Sequence, residues 1–385
     1  MIKGFKVRIF PTSEHEVMIK SHIGSCRKIW NLMLSYAEVY YQDCGKKLSR
    51  FDMMKLVTQF RHTEDYKFLS TVSSKSLQQV CIDLSTAFKD FSKKVHGRPK
   101  FKSKKRAKQV YPIRGDVLYF DAHQVQIEKL GKVNYQTNLS IPLGKGYKFM
   151  NPRICKQGTK WILSFSMECE NQAYELNDMA MGIDLGIKEL AVASFGDSYK
   201  VFHSINKTRK VKNLENKLSH IQRVVSRKYK VGNKLHPETK WQKTNAILYY
   251  EGTIRKIYNK LHNIRMDYIH KTTHELVSTL PKVVGMETLN IMGMMKNRHL
   301  AKNIQKQCFY EFYRQMQYKC EARGIKLIQV DMFYPSSKTC SHCGHIKRDL
   351  KLSDRTYVCP ECGMILDRDL NASINLANKA RALLE

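Results

Sequence analysis

Apolar residues change their spacing several times along this chain, and each change marks a different kind of element. Residues 1 to 10 alternate, with Phe5, Val7 and Ile9 on one face, and the run stops at Pro11, which predicts a strand. From about 14 to 95 the spacing becomes helical, most clearly in SCRKIWNLMLSYAEVYYQ and SLQQVCIDLSTAFKDFSKKV, as expected of the helices of one lobe. The stretch KKVHGRPKFKSKKRAKQ, 93 to 109, has no period and is dense in Lys and Arg, so it reads as a basic loop. Short alternating runs return between 110 and 170: VLYF, QVQIEKL and KWILSFSMEC. They predict a small β-barrel or sandwich, completed by the N-terminal strand across the helical insertion.

From 181 the pattern is a three-strand meander, MGIDLGI, LAVASFG and YKVFHS, with Gly196-Asp197 as a hairpin turn. A basic helical stretch follows. Ile254, Ile257, Leu261, Ile264 and Tyr268 mark the second arm of a helical hairpin there. Beyond it the pattern predicts a strand holding Glu287, a helix near 301 to 323, a strand IKLIQV, a cysteine module and a last helix.

Composition narrows the partner. The chain has 385 residues, enough for two or three domains. Its 67 Lys and Arg against 34 Asp and Glu leave a formal charge of +33. So large an excess repels itself and calls for a polyanion. A membrane surface is the competing partner, but no run approaches the ~18 apolar residues of a transmembrane span. MIKGFKVRIF also lacks the apolar stretch of a signal peptide. Seven of the 11 cysteines are scattered, as expected in a reducing cytoplasm.

The other four form Cys340-x2-Cys343-x15-Cys359-x2-Cys362. Each pair with its following glycine, Gly344 or Gly363, makes a tight knuckle, and two knuckles close a tetrahedral structural Zn site.

Three carboxylates complete the chemistry. Asp184 and Glu287 lie in the strand-like runs MGIDLGI and KVVGMETL, and Asp369 opens the helix-like DLNASINLANKA. A charge inside a short apolar strand costs several kcal/mol unless something pairs with it. Singly, Asp184 reads as a turn residue, Glu287 as an ion-pair partner and Asp369 as a helix cap. Together, an Asp on the first strand of a meander, a Glu on a later strand and an Asp at a helix start are the RNase H-like arrangement. That set suits two Mg2+ ions roughly 3.5 to 4 Å apart. Asp367, two residues before Asp369, competes for the third place.

The chain resembles the TnpB (OrfB) proteins of bacterial insertion sequences, small RNA-guided nucleases related to type V CRISPR effectors. The resemblance runs through KVRIFPTSEHEVMIKSHIGSCRKIWN, GRPKFKSKKR, GIDLGIKELAVAS, KLHNIRMDYIHK, METLNIMGMMKNRHLAK, FYPSSKTCSHCGHIK and CPECGMILDRDLNASINLA. Asn371-Ala372-Ser373 departs slightly from the commoner Asn-Ala-Ala. The resemblance implies an α/β multidomain protein: an RNase H-like RuvC nuclease domain at 176–338 and 366–385, and a zinc ribbon at 339–365. It also implies a wedge-type β-barrel at 1–12 and 110–175 and a helical recognition lobe at 13–109 that ends in the basic loop. The three acidic residues of such a nuclease fall on Asp184, Glu287 and Asp369.

The implied activity is RNA-guided cleavage of double-stranded DNA beside a short duplex motif, with catalytic Mg and structural Zn. The implied partners are a guide RNA from the element's own locus and target DNA, with a separately encoded transposase in the same element. The implied location is the bacterial cytoplasm, on the nucleoid when bound to DNA. In the basic loop Lys93, Lys94, Arg98, Lys100, Lys102, Lys104, Lys105, Arg106 and Lys108 are candidate phosphate contacts, and Phe101 is a candidate base stack or an anchor. Lys75, Gln78 and Gln79 are candidates for reading the duplex motif, since glutamine pairs with adenine in bidentate fashion. A plain exposed helix face is the simpler explanation of all three. Two other readings stand: an RNA-guided DNA-binding repressor without cleavage, and a guide-free RuvC-type resolvase.

Overall fold

The chain divides into two compact units, Met1–Glu170 and Asn171–Glu385. The computed structural model describes all residues except 1, 106, 171, 172, 238–240, 352 and 385.

In the first unit, strand β1 (Ile2–Phe10) leads through a Thr12 capping box into helix α1 (Ser13–Cys44), followed by α2 (Arg50–Arg61) and α3 (Ser74–Ser92). After the irregular basic segment come β2 (Val110–Pro112), β3 (Tyr119–Phe120), β4 (Gln124–Ile127), β5 (Gly131–Gln136), β6 (Met150–Gln157) and β7 (Lys160–Glu168). They form one sheet in the order β2-β6-β7-β1-β5-β4-β3. β1 lies between β7 and β5, with Ile9 opposite both Trp161 and Tyr135, so the N-terminal strand joins the sheet across the helical insertion. Val7 and Ile9 share one core with Ile19, Trp30 and Leu34 of α1, Leu77 and Leu84 of α3, and Phe120 and Phe165.

The expected barrel is not closed. Among the described residues β2 pairs with β6, and β3 pairs with β4 and makes one isolated bridge from Phe120 to Gly144, which leaves an open seven-stranded sheet. Closure needs pairing of the two edges. These edge strands are three and two residues long, and α1 and α3 pack against β2.

In the second unit, β8 (Asn177–Leu185), β9 (Glu189–Phe195) and β10 (Ser198–His203) form the predicted meander, with Gly196 in the left-handed region (φ 58°) at the hairpin turn. Helices α4 (Arg209–Leu235) and α5 (Asn245–Ser278) form the hairpin. There the Trp241 ring covers Gly232, where a Cβ would come within 2.1 Å of it. Next come β11 (Pro281–Glu287), α6 (Ile291–Met294), α7 (Arg298–Gln307), α8 (Phe309–Glu321) and β12 (Lys326–Val330). The single helix expected near 301 to 323 is two, because Cys308 adopts a left-handed conformation (φ 56°) that ends α7. The chain closes with the hairpin β13 (Thr356–Val358) and β14 (Ile365–Asp367) and helix α9 (Arg368–Ala382). The sheet order is β10-β9-β8-β11-β12, with β11 parallel to both β8 and β12.

Two glycines decide how α9 meets this sheet. Gly182 and Gly285 are register partners on β8 and β11. A Cβ on Gly182 would stand 1.8 Å from the Ser373 carbonyl oxygen, and one on Gly285 would stand 2.3 Å from that of Leu376. The helix backbone therefore rests directly on the strands. Arg381 Nη2 donates to the Asp178 carbonyl at 2.6 Å, so the C-terminus of α9 lies over the start of β8 and its N-terminus over the end. Gly182→Ala must push the helix off the sheet. Overpacking of this kind costs about 1–3 kcal/mol. At about 2–4 °C per kcal/mol for a domain of this size, thermal melting should fall by several degrees. An unchanged melt would mean that the helix yields freely.

No helix among the described residues is long and apolar enough to cross a membrane.

Candidate metal centres

The strand period carries the Gly182 and Gly285 contacts forward by two residues. Side chains at i and i+2 share a face, so Asp184 and Glu287 project from the face on which α9 lies. Met286 pairs with Ile183, which sets the two carboxylates side by side at the ends of adjacent parallel strands. Asp369, in the first turn of α9, reaches the same strand ends one turn before Ser373.

The electrostatics agree. Burial, then Asp369, then Glu287, push the Asp184 carboxyl up to about 7. Burial also raises Glu287. Arg368 opposes this at Asp184, and its Nη2 lies 3.3 Å from Asp369 Oδ1. Arg355 Nη1 stands 3.8 Å from Asp369 Oδ2. Asp367 does a different job: its Oδ1 accepts from the backbone N–H groups of Asp369 at 2.9 Å and Leu370 at 3.1 Å, capping α9.

This arrangement fixes a pH dependence. A carboxyl whose pKa is raised in the fold binds its proton more tightly folded than unfolded. The stability it contributes is full below its ordinary value near 4 and is lost as pH rises through about 7. Without added divalent cation, Asp184→Asn should therefore gain stability over the unaltered protein at pH 7.5 and much less at pH 5. Chemical denaturation at the two pH values measures this. An equal difference at both would refute it.

The four cysteines converge as the spacing predicts. Their sulfurs lie within 4.8 Å of one another, with Cys340 to Cys362 at 3.6 Å and Cys343 to Cys359 at 3.5 Å. Gly344 and Gly363 take φ of 78° and 72° to turn the two knuckles. In each, the first cysteine's carbonyl accepts from the glycine N–H, from Gly344 to Cys340 and from Gly363 to Cys359. The set fits a structural zinc ion, with Tyr357, wholly buried, as the small core beside it. Among the described residues it is the only group of three or more His, Cys, Asp or Glu ligands with all donor atoms that close.

Several residues at the site have no motif to announce them. Asn371 is fully buried, donates to the Thr339 carbonyl at 2.7 Å and accepts from the Ser341 N–H at 3.0 Å. Asn375 donates to the carbonyls of Ser336 and Thr339. These two amides tie α9 to the first cysteine knuckle. Gln307 donates to the carbonyls of Gly186 and Ile187, just past Asp184, while its oxygen accepts from Ser204. A buried amide in a helix carries no sequence signal beyond its polarity.

In the first unit, Lys75, Gln78 and Gln79 line one cleft of about 370 Å³ with Arg114, Asn151 and Arg153. Gln79 donates to Asp83, which Arg153 holds in bidentate fashion at 2.7 and 2.8 Å. The basic loop is fastened to α1: Trp30 Nε1 donates to the Lys100 carbonyl, and Asn31 exchanges two hydrogen bonds with the Lys102 backbone. Lys102 Nζ sits 3.1 Å from the Trp30 ring centre, and burial brings its pKa down to about 8. Arg98 pairs with Glu38 at 3.0 Å. Lys100, Lys104 and Lys105 are exposed, as is Phe101, while Arg106 lies outside the described residues.

Comparison with known proteins follows the same division. Residues 164–298 match the OrfB_IS605 family model, described as "Probable transposase", and residues 309–376 match one described as "Cas12f1-like, TNB domain". Residues 1–47 match a model of the same OrfB group described as "Helix-turn-helix domain", although the structure has one strand and one continuous helix there. A protein of Streptomyces pristinaespiralis named "Putative RNA-guided DNA endonuclease" is 27% identical over 97% of this chain and 88% of its own length. "Putative RNA-guided DNA endonuclease InsQ" of Escherichia coli K12 is 26% identical over 100% and 93%. A cryo-EM structure of a Cas12f1–sgRNA–target DNA complex superposes with a TM-score of 0.62 at 13% identity, covering 98% of this chain and 99% of that one. The fold is that of a compact type V effector. The chain belongs to the OrfB, or TnpB, family.

Proposed function

We propose that the protein is an RNA-guided DNA endonuclease that hydrolyses phosphodiester bonds with divalent metal. The observation that carries the reading is the meeting of Asp184, Glu287 and Asp369 where β8, β11 and α9 end together. Hard oxygen donors that repel one another suit Mg2+. Bound there, Mg2+ would supply an activated water and charge stabilisation at the leaving oxygen. Asp369 is the third ligand, and Asp367, committed to the helix cap, is not.

The domain divisions follow from this reading: a RuvC-type nuclease at 176–338 and 366–385, a ribbon at 339–365, and a wedge sheet at 1–12 and 110–175 with its helical lobe at 13–109. The cleft at Lys75, Gln78 and Gln79 reads the duplex motif, since amides and cations side by side match base edges and phosphates. Lys100, Lys104 and Lys105 hold backbone, on a loop that Trp30 and Asn31 fix in place. A repressor that only binds would have no use for a buried Asp184 whose pKa Asp369 and Glu287 push up, and a guide-free resolvase would leave the charge of +33 without a second polyanion.

The test is to purify the protein with its co-purifying RNA, sequence that RNA, and present a plasmid carrying the matching sequence with Mg2+. Cutting at the matched site alone is the expected result. Cutting by RNA-free protein, or no cutting with RNA and target bound, would refute the reading.

A further inference from the structure

Helix α4 carries nine Lys and Arg and one acidic residue. That residue, Glu215, is held internally by Arg265 at 2.7 Å and Lys306 at 2.6 Å. Val211, Leu218, Ile221 and Val225 form the buried stripe against Ile257 and Leu261 of α5. At about 100° per residue, Arg209, Lys212, Arg223, Arg227, Lys230 and Lys234 fall in a sector roughly 60° wide, directly opposite that stripe. All six are exposed, and none has an acidic partner among the described residues. An ordinary solvated helix face mixes its signs, as α5 does with Lys271 and Asp267 at 2.8 Å. Six like charges along about 38 Å of one helix repel one another unless a polyanion lies on them.

The spacing says what kind. Arg209 and Lys212 form one cluster and Arg223, Arg227, Lys230 and Lys234 another, with a gap of about 16 Å between Lys212 and Arg223. On this face the gap holds Asn213, Asn216, Ser219 and His220, all exposed, while Lys217 sits about 110° round the helix from the centre of the basic sector. Cations at both ends match two phosphate backbones. Amides and a hydroxyl between them match the 2′-hydroxyls of the wide, shallow minor groove of A-form RNA. The helix starts six residues after β10, which runs parallel to β8, so its N-terminus leaves the sheet at the edge that holds Asp184.

Resting on the function proposed above, we propose that this face of α4 docks across the minor groove of a double-helical stem of the guide RNA. The N-terminal cluster lies on one backbone and the C-terminal cluster on the other. The stem is thereby held at a set place relative to the carboxylates.

The test uses the whole protein and its co-purifying RNA, sequenced and transcribed, in filter binding across a salt series. Arg223→Gln, Arg227→Gln, Lys230→Gln and Lys234→Gln together should lower the slope of log affinity against log salt by about 1 per residue. Affinity at about 150 mM salt should fall more than tenfold. Asn213→Ala with Asn216→Ala should weaken binding severalfold with the slope unchanged, because contacts to 2′-hydroxyls release no counterions. Thermal melts should match the unaltered protein, since every substituted residue is exposed.

If the unaltered protein binds no RNA, the proposed function itself falls. If it binds and the quadruple variant keeps the slope, only the role of α4 falls. An equal loss per residue from Arg255→Gln, Lys256→Gln and Lys260→Gln on α5 would reduce the effect to net charge and overturn the assignment. Intact RNA binding with lost retention of target DNA would put the guide–target duplex on this face and overturn the choice of an RNA stem.

Discussion

Asp184→Ala should abolish cutting while RNA and target binding stay near those of the unaltered protein. Asp184 stands at the end of the strand between β9 and β11, with Glu287 beside it and Asp369 reaching in from α9. On the proposed function, removing one of three shared ligands would cost several kcal/mol of metal and transition-state stabilisation, at least about a thousandfold in rate. Misfolding does not explain such a loss. Burial and two neighbouring carboxylates already disfavour the Asp184 charge, so the substitution relieves repulsion in the metal-free fold. The checks are single-turnover cleavage with excess protein, and target binding measured separately. A variant that still cuts within tenfold of the unaltered protein would exclude Asp184 as a metal ligand.

Loss of zinc should disorder the ribbon and then cutting, in that order of directness. A structural Zn2+ contributes about 10–16 kcal/mol of apparent binding free energy in small zinc modules, and that energy is folding energy. The ribbon has little else: Leu350, Tyr357 and Met364 are the apolar residues packed with its buried cysteines. Cys343→Ser with Cys362→Ser, or a zinc-selective chelator, should raise hydrogen exchange across the ribbon while β8, β9 and β11 keep their protection. The consequence passes through Asn371 and Asn375, which join the first knuckle to α9, and so to Asp369. Asn371→Ala should reproduce part of the cutting defect with zinc still bound, because it strands the Ser341 N–H at about 1–3 kcal/mol, while the Thr339 carbonyl keeps its bond from Asn375. Full activity in the double cysteine variant would disconnect the ribbon from the site.

Much of this was legible beforehand for local reasons. The meander, the helical hairpin, Glu287 on a strand and the Cys-x2-Cys knuckles are each set by residues within a few positions of one another, where periodicity and turn chemistry act. The misses are long-range. Whether a sheet closes depends on its edges, and the short β2 covered by α1 and α3 left this one open. The helix expected near 301 to 323 broke because Cys308 turns left-handed, a conformation that its sequence does not signal as glycine would. Nothing local to Gly182 or Gly285 signals that the backbone of α9 rests on them.

The sequence by itself determined the elements, the zinc ligands and the three carboxylates as candidates, because those depend on residue type and local spacing. Only the tertiary structure decided that the carboxylates share one face at one end of a sheet. It also tied the ribbon to α9 through two buried asparagines. Each of these depends on which backbone lies against which, and that follows from packing between segments up to two hundred residues apart, such as Asp178 and Arg381.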